Sequence, residues 1–178
     1  MSAPNKHPLF TLREMEERAR ALAQPLIGDA ASRRWVGLLA RIGAERLLIA
    51  STEIREVFSY RRHPRPSPVP GSKSWLKGLA SLRGELISIV DLGEYLRHLP
   101  CQTGDGARVI VTKPVGVRAG LLVDEVLGLR QFLGVDRRPA PTDIAWADGA
   151  FVVAEEVYPV LSIQQLGLNP EFRNAANG

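Results

Sequence analysis

Apolar residues in this chain fall mostly in short runs, broken roughly every 8 to 12 residues by glycine, proline or clustered charges, as in proteins built of many short strands. The best-specified stretch is Leu79-Ala80-Ser81-Leu82-Arg83-Gly84-Glu85-Leu86-Ile87-Ser88-Ile89-Val90-Asp91-Leu92. It predicts two strands joined at Gly84, where glycine can take a positive φ without a Cβ clash. Apolar residues at 86, 87, 89 and 90 are too many for one buried face, so the second strand is expected to pack on both sides. Asp91 followed by Glu94 suits a helix N-cap with a capping-box acid. Leu92, Tyr95, Leu96 and Leu99 then recur at helical spacing, and Pro100 ends the run.

The other elements read in the same way. Thr11 and Glu14 form a T-x-x-E box before an amphipathic helix carrying Leu12, Met15, Ala19 and Leu22 on one face, and Pro25 and Gly28 end it. This helix either packs on the main domain or is offered to a partner. A hairpin follows over Trp35–Ile42 and Arg46–Ala50, and Ser51, Thr52 and Glu53 begin a short helical turn with Ile54, Val57 and Phe58 as its apolar face. Prolines at 64, 66, 68 and 70 force an extended loop. Strands are expected at Ala107–Thr112 and Val117–Val123, with an extended run from Val126 to Leu133 and a second proline-containing loop from Arg137 to Thr142. A hairpin around Glu155-Glu156 ends at Ser162, which with Gln165 forms an S-x-x-Q box, and the residues from Asn169 are expected to fray. Leu79–Leu96 and Phe151–Leu166 are thus two similar passages of paired strands, a cap and a short helix, which indicates a mainly β barrel or sandwich class. The expected organisation is a helical extension over 1–34, a domain over 35–166 and a tail over 167–178.

Composition narrows the class more than the chemistry. At 178 residues with 45% apolar and 24% charged residues, the chain suits one soluble domain with appendages. No apolar run approaches a membrane span, and charges at Arg13, Glu14, Glu16, Glu17, Arg18 and Arg20 break any signal-peptide pattern. A cytoplasmic location without membrane insertion is expected, and the single cysteine, Cys101, suits a reducing compartment as an idle or buried thiol. The net charge of +4, with arginines clustered at 33–34, 61–65 and 137–138, permits an acidic partner or a nucleic acid. His7, His63 and His98 are isolated and lack a metal-ligand spacing. There is no nucleophile elbow, P-loop or dinucleotide fingerprint. Asp124-Glu125 and Glu155-Glu156 are neighbours that strand geometry would point to opposite faces, and Asp91 is better explained as a cap than as an acid catalyst. No catalytic constellation and no metal or cofactor site is therefore expected, which leaves a binding protein. On its residue type alone, Arg83 is a solvated turn arginine.

The order of motifs adds to this. Gly78-x-x-x-Leu82-Arg83-Gly84-x-x-x-x-Ile89-Val90-Asp91-Leu92 closely resembles the G-x-x-N-L-R-G-x-x-x-P-[IV]-[IV]-D-L signature of the CheW-like domain family. Ile54-Arg55-Glu56-Val57 is similar to the family's V-x-E-[IV] segment, and Val69-Pro70-Gly71 and Trp75-Leu76-Lys77-Gly78 follow in order. Gly120-Leu121-Leu122-Val123-Asp124-Glu125-Val126 is similar to its G-[IL]-x-V-D-x-V segment. Ser81, Ser88 and Ser162 stand where the family usually has asparagine, proline and a capping aspartate. The extension before Trp35, with Trp35-x-Gly37 and Trp75-x-Lys77-Gly78, most resembles the version of this adaptor in systems that control type IV pili and twitching motility.

The resemblance implies two packed five-stranded SH3-like β-barrels with short helices. It implies a non-enzymatic, cofactor-free adaptor coupling the cytoplasmic tip of a methyl-accepting chemoreceptor to the regulatory domain of a CheA-type histidine kinase. Glu56, Gly78, Arg83, Val126 and Leu129 are the residues it places on the receptor side, in an apolar groove between the barrels. The alternative reading is a small-barrel nucleic-acid binder, motivated by the pI of about 9.6. Against it stands an aromatic content of only 6%, since such barrels stack bases on exposed aromatics.

Overall fold

The computed structural model describes residues 34–63, 65–113 and 118–175, so the expected helix at 11–23 lies outside the described residues. Strands β1 (Arg34–Ile42) and β2 (Glu45–Ala50) form a hairpin, and a 3₁₀ turn over Ser51–Glu53 leads to β3 (Ile54–Ser59) in a second sheet. That sheet is completed by β4 (Leu76–Leu82), β5 (Glu85–Asp91), β6 (Arg108–Thr112) and β7 (Ala119–Val123), with helix α1 (Leu92–Arg97) after β5. The chain then returns to the first sheet with β8 (Glu125–Leu133), β9 (Arg137–Arg138), β10 (Ala147–Val153) and β11 (Glu156–Leu161). Helices α2 (Ile163–Leu168) and α3 (Pro170–Arg173) follow.

The strand orders are β8-β1-β2-β11-β10-β9 and β3-β6-β7-β5-β4. The barrels are thus a six-stranded and a five-stranded mixed sheet, the sixth strand being the two-residue β9. Each sheet has one parallel pair, β11 with β2 and β5 with β7. The two similar passages of the sequence occupy equivalent places. Each hairpin feeds a capped helix, with Asp91 accepting from the Glu94 N–H and Ser162 from the Gln165 N–H. The Glu94 side chain does not close a capping box, because it reaches the Lys77 ammonium instead.

Strand alternation assigns each face. Leu39 and Leu48 point into the first barrel with Phe151 and Val160, where Trp35, Leu127, Phe132 and Tyr158 close an aromatic interior. The Trp35 ring lies over Gly37, where a Cβ would come within 2.3 Å of it. Leu38, Ala40, Ile42, Leu47 and Ile49 take the opposite face and join the larger core shared with the second sheet. Inside the second barrel, Ile87, Ile89 and Val109 crowd around Gly120, leaving no room there for a Cβ. Ile110, Leu121 and Val90 point the other way and are buried, with β7 packing across to β1. Burial between the barrels is therefore as complete as burial within them.

Three expectations change. Residues 54–59 form a strand and not a continuation of the helical turn, because β6 supplies a ladder for Ile54, Val57 and Phe58. The residues from Asn169 are ordered through Ala175: α3 buries Phe172 against Trp75 and Tyr95, and the Lys73 N–H donates to the Ala175 carbonyl. Finally, β5 is buried on both faces only from Ile89 onward, and Leu86 is 69% exposed.

Candidate functional site: a charged turn beside two apolar edges

The β4–β5 hairpin closes in a two-residue turn, Leu82 opposite Glu85, with both Arg83 (φ 51°) and Gly84 (φ 85°) left-handed. Two positive φ values match the right-handed twist of the flanking strands. Glycine tolerates that region, whereas arginine is held there at a local cost. The conformation lifts the Arg83 side chain off the barrel rim, where it remains 79% exposed.

Among the described residues it forms an ion pair with Glu56, Nη2 to Oε2 at 3.0 Å. Glu56 lies on β3 and Arg83 follows β4, and these strands are opposite edges of the five-stranded sheet. Their meeting shows that the sheet is rolled into a barrel, and Phe58 and Tyr60 lie beside Ala80 and Leu82 around a small space at the same seam. Glu56 and Arg83, two of the residues named from the motifs, thus meet at the barrel seam.

Gly78 has a different task. Its φ is 129°, and a Cβ there would lie 2.1 Å from the Ser67 carbonyl oxygen. Ser67 is bridged to Leu79 by two backbone hydrogen bonds of 2.8 and 2.9 Å, so Gly78 is where the proline-rich loop crosses β4. Lys77 alongside it reaches Glu94 at 2.6 Å and the buried Asp91 at 3.5 Å.

Val126 and Leu129 belong to the other sheet. Val126 pairs with Ala40 and Leu129 with Leu38, so both share the face that packs toward the second barrel. A bulge at Leu127, with Gly128 at φ 106°, keeps them in phase. Val126 is packed on the shared core, whereas Leu129 is 59% exposed and Leu133, on the same face, is 48% exposed. On the second sheet Val90, Ser88 and Leu86 share one face, which likewise runs from full burial to exposure. Both faces of the inter-barrel core thus continue outward as apolar edges. Sequence reasoning placed Leu86 in the core and missed it, because alternation alone does not say where a neighbouring sheet stops.

The buried carboxylates are fully used in holding the fold. Asp91 accepts from the Glu94 and Cys101 N–H groups at 3.0 Å. Asp124 accepts from the Gly43 N–H at 2.7 Å and the Gln102 N–H at 2.6 Å, and both it and Glu125 meet Arg41 at 3.3 Å. The two acids converge because Asp124 lies in the crossover before β8, where strand alternation does not apply. They bracket a cation. The Cys101 thiol donates to the Leu122 carbonyl at 3.3 Å, and burial, followed by the Asp91 charge, pushes its pKa up, away from reactivity. Among the described residues no group of three or more His, Cys, Asp or Glu side chains could hold a metal ion, and no helix is long and apolar enough to cross a membrane.

Comparison with known proteins places this arrangement. Over 126 residues the chain is 35% identical to Protein PilI of Pseudomonas aeruginosa, covering 70% of this chain and 69% of that protein. It is 30% identical over 137 residues to Protein FrzA of Myxococcus xanthus, covering 77% of this chain and 78% of that protein. The crystal structure of the scaffolding protein TtCheW from Thermoanaerobacter tengcongensis superposes with a TM-score of 0.67 at 19% identity, over 74% of this chain and 91% of that one. Residues 36–169 match the CheW-like domain, and the chain belongs to that family.

Proposed function

We propose that this chain is a non-enzymatic scaffold coupling a methyl-accepting chemoreceptor to a CheA-type histidine kinase, at cytoplasmic arrays that control type IV pili and twitching motility. Family membership and the similarity to Protein PilI support the setting. The observation that carries the reading is the Arg83–Glu56 pair, a mostly exposed cation held on a left-handed turn of the hairpin that also bears the exposed Leu86. A receptor helix laid against Leu86, Leu129 and Leu133 would bury apolar area, and Arg83 would fix its register through a directional charge-assisted bond.

The test is co-purification with the histidine kinase and receptor of the same cell. Because a surface ion pair contributes about 1 kcal/mol or less, Arg83→Glu should leave the thermal midpoint nearly unchanged yet abolish receptor capture in a pull-down. Normal capture by that variant would remove Arg83 from the interface, and failure to co-purify with any kinase would remove the scaffold reading.

A further inference from the structure

Glu56 and Arg83 are not an isolated pair. Glu56 divides its carboxylate, with Oε2 on Arg83 and Oε1 facing Arg55 Nε at 3.3 Å. Arg55 also donates from Nη1 to Glu85 Oε2 at 2.6 Å. Four charges therefore alternate, Arg83, Glu56, Arg55 and Glu85, running from the turn to β3 and back to the first residue of β5. Adjacent strand residues normally point to opposite faces, which would separate Arg55 from Glu56. The register of β3 explains why they are not separated. Ile54 pairs with Thr112 and Glu56 with Val111, so Arg55 is the extra residue of a bulge. A bulge re-aims a side chain, and this one turns Arg55 toward the same turn that carries Arg83.

We propose that Arg55 and Glu85 are positioning residues for Arg83, and that the group they prepare Arg83 to receive is a partner carboxylate. The proposal rests on the receptor reading of Arg83 given above. A long, mostly exposed side chain samples many rotamers, and ordering it on binding costs affinity. Glu56 alone would swing with it. Fixed from behind by Arg55, which Glu85 fixes in turn, Glu56 holds Oε2 in one place. The guanidinium of Arg83 is then docked through Nη2 on a side chain that is 79% exposed, and a guanidinium's fork of N–H groups matches a carboxylate. The pairs are all partly exposed, so their yield in stability is small and their effect lies in orientation. Arginine is required at position 55, because Nε and Nη1 must reach two acids at once. A lysine would supply the charge without the bridge.

The experiment uses the full chain with Arg55→Gln, Arg55→Lys and Glu85→Gln. One readout is the Arg83 Nε–H cross-peak in the NMR spectrum of the free protein, with Glu56→Gln marking the undocked position. The other is affinity for the soluble cytoplasmic domain of the methyl-accepting receptor from the same organism, across a salt series. All three variants are expected to move the cross-peak toward the undocked position and to weaken binding about fivefold, the scale of one exposed ion pair, with an unchanged thermal midpoint. An unmoved cross-peak, unchanged affinity despite a moved cross-peak, or full rescue by Arg55→Lys would each overturn the proposal. If the receptor domain binds neither the wild type nor the variants, the receptor reading itself fails, while the cross-peak still decides whether the relay exists.

Discussion

Glu94 shows how one side chain can be diverted from the role its position suggests. It sits three residues after the cap Asp91, as a capping box requires, yet Lys77 takes it at 2.6 Å. Burial alone would raise its pKa, but hydrogen bonds from Lys77 and Ser74 and the Lys77 charge outweigh that and hold it below the ordinary 4.5. A depressed carboxylate contributes stability that is present above its unfolded-state value and is lost as pH falls through its folded-state value. The thermal midpoint should therefore drop as pH is taken below about 4.5, and Lys77→Met should remove the part that comes from Glu94. A carboxyl NMR titration checks this directly. The Glu94 midpoint should lie below that of a free glutamate and rise above it in the variant, and an unchanged midpoint would rule the pair out as the cause. At this scale caps were legible, because a polar residue ahead of an apolar helical run has one favourable use. The partners of charged side chains were not, since Lys77 and Glu94, or Arg55 and Glu85, meet only once a sheet has formed.

At the scale of elements, the glycine at position 78 ties two segments that sequence patterns treat separately. The proline-rich loop has no hydrophobic period, so the sequence predicts only that it is extended. The fold uses that extension to lay the loop along β4, with Ser67 joined to Leu79 by an isolated bridge over Gly78. Gly78→Ala places a methyl 2.1 Å from a carbonyl oxygen at a φ of 129°, so the loop must lift off β4. The expected loss is at least about 2 kcal/mol, read by chemical denaturation, with faster amide exchange at Ser67 and Leu79. A variant as stable as the wild type would mean that the crossing is dispensable. The hairpins were readable from glycine and paired charges between apolar runs. Strand β3 was not, because Ile54, Val57 and Phe58 suit a helix spacing, and Arg55 as a bulge residue blurs the two-residue period.

The domain formed by the described residues is built by insertion. The first barrel takes β1 and β2 from one part of the chain and β8 to β11 from another, and the entire second sheet lies between them in sequence. The first barrel keeps an aromatic interior of its own, but β1 and β7 pack together and one larger core spans both sheets, so the barrels share most of their buried residues. Calorimetry should give a single transition whose van't Hoff and calorimetric enthalpies agree, and two resolved transitions would mean that the barrels are independent units. The parallel pairing of β2 with β11 makes this topology hard to read from sequence, since hydrophobic alternation announces strands but not which distant strand completes a sheet. It also sets a schedule. On a ribosome the inserted barrel has all its strands before β11 emerges, so β2 must wait with an open edge while the rest of the chain is made. The last barrel to close is the one that begins first.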